Sequence, residues 1–283
     1  MHMKAAINQW AFPGEMPATQ AISLAKEVGF EAFEVCVGTK GPVPLDASEA
    51  DVTAIRQHAA KQGLELTSVG CGLGWELPMT SPDPKVRAKA VEAMTRALQI
   101  ANWLGVDSVL TVPGSVTPEL SYEVAIENAL TSIQALVPAA EKAKAAIALE
   151  NVWNKFLLSP VETRDFIDQF ESEYVGAFFD VGNIVLYGYP EQWIRILGPR
   201  IRMVHAKDFR ASAGTFDGFV MLMEGDVNWP AVMAAFDEIG YDKALVAEYG
   251  PYRHSLDAML EHVLVSLKTI IARDFADGEG GLP

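Results

Sequence analysis

A single-domain (β/α)8 barrel of the α/β class is the fold this sequence predicts. Three observations predict it. Eight short β-rich runs are spread along 283 residues, each is followed by an amphipathic helical pattern, and no Pro/Gly/Ser-rich linker divides the alternation. The runs are mostly continuous apolar stretches, as expected of parallel strands buried on both faces. Strand-then-helix repeated eight times fits a closed barrel, whereas a doubly wound sheet more often has about five to seven strands.

The elements follow in chain order. KAAINQW (4–10) leads to ATQAISLAKEVGF, where Gly29 fits the left-handed residue that ends a helix. AFEVCV (32–37) leads to SEADVTAIRQHAAKQG, with Ser48 and Asp51 at capping-box spacing and Gly63 as the stop. LELTSVG (64–70) precedes DPKVRAKAVEAMTRALQIANWLG, which stops at Gly105. SVLTVPG (108–114) precedes SYEVAIENALTSIQALVPAAEKAKA, where Pro138 lacks an amide donor and predicts a kink or break. AIALENV (146–152) leads to SPVETRDFIDQF, and VGAFFDVGN (175–183) to YPEQWIRILG. IRMVHAKD (201–208) leads to NWPAVMAAFDEIG, and KALVAEYG (243–250) to SLDAMLEHVLVSLKTIIARDF. Within EGDVNWP (224–230), Asn228 is an N-cap and Pro230 sits in the first turn, so the segment reads as structural and argues against a catalytic Asp226. One domain spans 1–283, with Met1–Met3 as a start-site or cloning remnant and 275–283 as a frayed tail.

Composition narrows the function. Half the residues are hydrophobic and 21% are charged, enough for a large core. The net charge of −15 argues against nucleic acid and against anionic membrane surfaces. It leaves an anionic small substrate open, because a few pocket residues set the local field. No apolar stretch reaches the roughly 18 residues of a transmembrane helix, and the N-terminus does not read as a secretory signal. Cys36 and Cys71 lie in apolar runs without a Cys-x-x-Cys pattern and read as buried reduced thiols, in a cytoplasmic setting. The string GCGLG (70–74) is followed by loop-like WELPMTSPDP instead of a helix, which argues against a dinucleotide loop. His58, His254 and His262 fall on or beside helices and read as surface or interhelical groups.

In such a barrel, chemistry collects where strands end. ALENV delivers Glu150, FFDVGN delivers Asp180, VHAKD delivers His205, Lys207 and Asp208, and VAEYG delivers Glu248. Taken alone, an acid there is a turn residue or helix cap, and His205 is a satisfied core histidine. On four successive strands those readings lose force. Three converging carboxylates repel unless some stay protonated, and a divalent cation removes the conflict. One imidazole with three carboxylates is a hard, oxygen-rich set that suits Mn²⁺ first, then Mg²⁺ or Co²⁺, with Zn²⁺ admissible. Lys207 and Arg210 could hold a phosphate or a substrate hydroxyl, although Arg210 also suits a surface salt bridge. Glu34 could orient substrate, support the ligands from behind or cap a turn. Asn183 and Trp153 lie one step past ligand positions and suit the pocket lining. Trp10 offers a flat wall for a sugar or a structural aromatic, and Arg253 is a candidate anion contact.

These residues, with ALENVWN, FFDVGN, VHAKD, EGDVNW and GYDKALVAEYG, resemble the sugar phosphate isomerase/epimerase family of the xylose-isomerase-like TIM barrels. That family includes D-tagatose 3-epimerase and L-ribulose-5-phosphate 3-epimerase. The resemblance implies that Glu150, Asp180, His205 and Glu248 hold the metal and that Glu150 and Glu248 are also its acid/base pair. Three departures bear on the sugar. Asn183 stands where the free-ketose enzymes usually have a histidine, Phe156 near where some have a second glutamate, and Ala211 where they have an arginine. The implied reaction is 3-epimerisation of a ketose or ketose phosphate through a metal-stabilised enediolate. An aldose–ketose isomerase or an inosose-type dehydratase would use the same residues, and a non-catalytic metal-binding barrel is the remote alternative. A DNA-repair endonuclease of the same superfamily is disfavoured by the charge. The sequence leaves the oligomeric state, a homo-oligomer included, open.

Overall fold

Alternation along each strand decides which side chains fill the barrel and which face the helices. In the computed structural model, which describes residues 3–275, the eight runs become eight parallel strands round a closed barrel. They begin with β1 (Lys4–Asn8), β2 (Ala32–Val37), β3 (Glu65–Cys71), β4 (Ser108–Thr111), β5 (Ala146–Glu150), β6 (Val175–Asp180) and β7 (Ile201–Ala206). An antiparallel hairpin of β8 (Asp208–Phe209) and β9 (Phe219–Val220) then interrupts the pattern. The last strand, β10 (Ala244–Ala247), closes the ring between β7 and β1.

The hairpin is a departure from the sequence reading, which continued the seventh strand through Asp208. The buried Asp208 carboxylate explains it. Its oxygens accept from the amides of Phe209, Met223 and Val227 and from Trp229 Nε1, at 2.9, 2.9, 3.2 and 2.9 Å. These bonds tie both ends of the excursion to one group. A Cβ on Gly225 would lie 2.1 Å from Asp208 Oδ1, so the loop passes there only as glycine. Asp226, in the same loop, accepts from the amide of Ala211 at 2.7 Å.

Around the strands pack α1 (Ala18–Val28), α2 (Glu49–Gln62), α3 (Pro84–Leu104) and α4 (Tyr122–Ala143), then α5 (Pro160–Ile167), α6 (Pro190–Leu197), α7 (Trp229–Ile239) and α8 (Leu256–Ala272). The Ser48–Asp51 capping box forms, and Asn228 accepts from Ala231 N. Gly29 ends α1 at φ 111°, where a side chain would be strained. The break expected at Pro138 does not occur, and α4 runs through it as one 22-residue helix. Buried Ile133, Leu136 and Val137 before the proline and Ala140 and Ala143 after it hold both halves against the barrel. That packing outweighs the lost bond, roughly 3 kcal/mol or more.

Two layers of core result. Outward-facing residues such as Phe33, Phe179 and Val204 join the helices in the larger one. Inside the barrel Ala6, Ala32, Leu110, Val112, Ala148, Phe178, Met203, Ala244 and Val246 form a separate plug. Two residues beyond plug members come Asn8, Glu34, Glu150, Asp180, His205 and Glu248, on the same inward face. The plug is thus the floor of a polar layer. At the ends of the chain, Met3 is fully buried and Phe275 packs partly buried on the core, so neither is the loose residue the sequence reading made it. The rest of those two segments, 1–2 and 276–283, lies outside the described residues. Among the described residues, no helix is long and apolar enough to cross a membrane.

Phe178 is the one aromatic ring in the plug, fully buried, with its ring centroid 4.5 Å from that of His205. Phe178→Ala is expected to cost about 3–5 kcal/mol. Phe178→Leu should cost clearly less. Urea unfolding of the two variants checks this, and equal midpoints for Ala and wild type would rule the plug out as a stability determinant.

Candidate active site

Strand register brings the polar layer together. Asp180 on β6 pairs with His205 on β7, and His205 pairs with Val246 on β10, two residues before Glu248. Glu150, the last residue of β5, pairs with Phe178. One ligand atom from each of Glu150, Asp180, His205 and Glu248 lies within 4.8 Å of every other. His205 sits at the centre, fully buried. Its Nδ1 is 2.8 Å from Glu248 Oε2 and 3.5 Å from Glu150 Oε1. On the far side its Nε2–H donates to Glu34 Oε2 at 2.8 Å. Both ring nitrogens thus face a carboxylate at 2.8 Å, and a cation at Nδ1 would leave the remaining proton on Nε2, held by Glu34.

Three atoms of the cluster lack the hydrogen bonds that buried groups normally make: Asp180 Oδ2, His205 Nδ1 and Glu248 Oε2. Close ionic contacts partly answer for them. Lys207 Nζ lies 3.1 Å from Asp180 Oδ2 and 2.9 Å from Glu248 Oε2. Three buried donor atoms brought within 4.8 Å of one another, with a third carboxylate, Glu150, beside them, fit a divalent cation. The donor set, one imidazole nitrogen and carboxylate oxygens, suits a hard or borderline metal.

Without a metal, the carboxylates hold protons differently. Burial, reinforced by Glu248, pushes Glu150 up to about 7 against the pull of His205. Burial also raises Asp180, with Lys207 opposing it. Glu248 is buried too, but Lys207 and His205 draw it well below the usual carboxylate range. Burial works against the charge of His205 and of Lys207, yet the surrounding carboxylates hold both well above their ordinary values.

The glycine string serves packing. A Cβ on Gly70 would lie 2.8 Å from Glu34 Oε1 and 2.9 Å from Cys36 Sγ, so this glycine leaves the room that Glu34 occupies. A Cβ on Gly74 would fall 1.8 Å from the carbonyl oxygen of Val112. Glu34 itself stands in the middle of β2, not at its end.

Above the cluster is a cavity of about 290 Å³, lined in part by Glu150, Glu248, Lys207, Asn183, Trp10 and Trp153. Asn183 is also a clamp: its Nδ2 donates to Asn151 O at 2.9 Å, and its own carbonyl accepts from Trp153 Nε1 at 2.8 Å. Two residues named as anion contacts in the sequence do not reach this cavity. Arg210 is exposed and donates to Glu224 O at 3.0 Å, and Arg253 is exposed in the loop after β10. Phe156 is buried between Tyr122 and Phe166.

Sequence reading missed Trp75, Phe216 and Phe219 in the cavity wall. The last two belong to the hairpin, and their rings lie 4.9 and 5.3 Å from that of Trp153. The available signal was two aromatics flanking Gly218 in GTFDGF (214–219), in the excursion that follows the strand carrying His205. The remaining histidines are peripheral: His58 bonds Ser23 between α1 and α2, and His254 and His262 are exposed. Cys36 and Cys71 are buried and unpaired.

Comparison with known proteins follows the same lines. L-ribulose-5-phosphate 3-epimerase UlaE of Salmonella paratyphi C is 23% identical over 238 residues, 83% of this chain and 83% of its own. The crystal structure of a D-tagatose 3-epimerase-like protein matches with a TM-score of 0.80 at 22% identity, covering 96% of this chain and 99% of its own. The crystal structure of the IOLI protein with a bound zinc atom matches with a TM-score of 0.81 at 16% identity, covering 97% and 100%. The family model described as xylose isomerase-like TIM barrel matches residues 22–268, and the chain belongs to that family.

Proposed function

We propose that this enzyme is a divalent-metal-dependent 3-epimerase of ketoses. One observation carries the reading: Glu150 and Glu248 line the same cavity from β5 and from the end of β10, strands separated by β6 and β7, around a cluster of donor atoms whose close partners are one another and Lys207. Epimerisation beside a ketone requires a proton to leave one face of carbon and another to arrive on the opposite face. Two carboxylates approaching from separated strands meet that need. Glu150, Asp180, His205 and Glu248 would hold the metal, Mn²⁺ first and Zn²⁺ as the alternative raised by the IOLI structure. When bound it supplies Lewis acidity toward the ketone oxygen. Glu34 keeps His205 in the tautomer that presents Nδ1, and Lys207 offsets the negative charge of Asp180 and Glu248. The names of curated relatives agree with the reaction class. The free buried thiols agree with a reducing, cytoplasmic setting.

Incubation with Mn²⁺ and a panel of ketoses in D₂O should give the epimer with deuterium at carbon 3. Hydrogen moved between carbons 1 and 2 would indicate an aldose–ketose isomerase, and loss of water a dehydratase. Absence of any exchange across the panel would sink all three. Glu150→Gln and Glu248→Gln should each lower kcat at least ~10²-fold, the usual scale for an acid/base group.

Metal binding should release protons. Below pH 7 the metal-free site holds one on Glu150 and one on His205, and both must leave for these groups to coordinate. Affinity for Mn²⁺ should therefore rise with pH between about 6 and 7, by roughly tenfold per pH unit for each proton released. Calorimetry in buffers of different ionisation heat counts those protons, and a flat or falling affinity over that range contradicts the assigned ligands.

A further inference from the structure

The geometry points to an uncharged substrate: a free ketose, without a phosphate ester, whose chain beyond the reacting carbons lies against aromatic rings. This rests on the epimerase reading of the site and narrows its substrate class. Five aromatic side chains line the cavity, Trp10, Trp75, Trp153, Phe216 and Phe219. Three of these keep exposed surface at the mouth, Trp10 at 38%, Trp75 at 54% and Phe216 at 73%. Among the described residues, the only cation lining this cavity is Lys207.

Lys207 is already committed. Its ammonium bridges Asp180 and Glu248 at 3.1 and 2.9 Å and lies over the ring of Phe219, 5.4 Å from the centroid. A phosphate drawing on it would have to compete with the Asp180 carboxylate and the partly exposed Glu248 carboxylate. The backbone amide of Asn183, in the first turn after β6, is taken by Asp180 Oδ1 at 2.8 Å. Arg210 and Arg253 lie outside the wall. A phosphate ester carries about 1.5–2 negative charges and is recognised by charge-assisted bonds, chiefly from arginine, lysine and backbone amides. Here it would meet ring faces, whose quadrupole is negative toward an approaching anion. The C–H faces of a neutral sugar suit the same rings. The cavity of about 290 Å³ is at the small end for ligand sites, near 300 Å³, and suits a monosaccharide.

The test uses the full-length, Mn²⁺-loaded protein and two matched pairs: D-fructose with D-fructose 6-phosphate, and D-ribulose with D-ribulose 5-phosphate. Deuterium exchange gives kcat/KM, and quenching of tryptophan fluorescence gives Kd independently of turnover. In at least one pair the free sugar is expected to be favoured at least ~30-fold by either measure, the scale of leaving a charged group unpaired. Phe216→Arg, at an exposed position, should narrow that ratio at least ~10-fold by improving the ester. Esters that bind or react as well as the free sugars overturn the inference, and so does failure of all four compounds to bind. Tighter binding of the free sugars with no exchange from any of them supports the substrate class and removes the epimerase reading. Exchange from the esters alone does the reverse.

Discussion

Negative charge buried at the mouth of the barrel is the constraint on which the rest of the site depends. Glu150, Asp180 and Glu248 converge within a few ångströms of one another, the first two buried and the third partly so, a placement that ordinarily destabilises a fold by several kcal/mol per buried ion. Lys207 and a protonated His205 answer it in the metal-free protein, together with the proton kept on Glu150. In that state the formal charge of these five groups is zero. Exchange of the two protons on Glu150 and His205 for one divalent ion leaves it at zero. A divalent ion taken up in this way would change the chemistry of the cluster without changing its net charge.

The same constraint explains the supporting shell. His205 presents Nδ1 inward only if Nε2 is held from behind, and Glu34 does this from β2, three strands round the barrel from β7. Glu34 fits there because Gly70, on the next strand, has no Cβ. Phe178 closes the floor beneath the imidazole ring. A glycine on β3, an acid on β2 and a phenylalanine on β6 thus fix one nitrogen on β7. The hairpin then roofs the site, and it holds its shape because Asp208 gathers four donors from the loop that follows.

Much of this was legible in the sequence because barrel strands repeat one simple pattern. A continuous apolar run that ends in an acid, as in FFDVGN, can place that acid only at the mouth, so Glu150, Asp180, His205 and Glu248 could be picked without coordinates. What stayed hidden depends on contacts between strands distant in the chain. Nothing in AFEVCV shows that Glu34 reaches His205, 171 residues away. The glycines of GCGLG could be set aside as a dinucleotide loop but given no role, because their purpose, leaving space for Glu34 and for the Val112 carbonyl, belongs to neighbouring strands. Pro138 was misread for a related reason: its local penalty is visible, but the packing on either side that overrides it is not. The hairpin was lost because two-residue strands carry too little pattern to stand out.

The division of labour around the ring has a further consequence. Strands β5, β6, β7 and β10 supply the four clustered donors, whereas β1 to β4 and the loops after them supply support and wall: Asn8, Glu34, Gly70, Leu110, Val112, Trp10 and Trp75. A change of residue in the first half of the chain can therefore alter part of the cavity wall without moving a donor atom. Glu34 and Gly70 are the exceptions, since they act on His205 directly. The wall is shared between the two halves, since Trp153 follows β5 and Phe216 and Phe219 follow β7, so only its Trp10, Trp75, Leu110 and Val112 side lies apart from the strands that carry the donors.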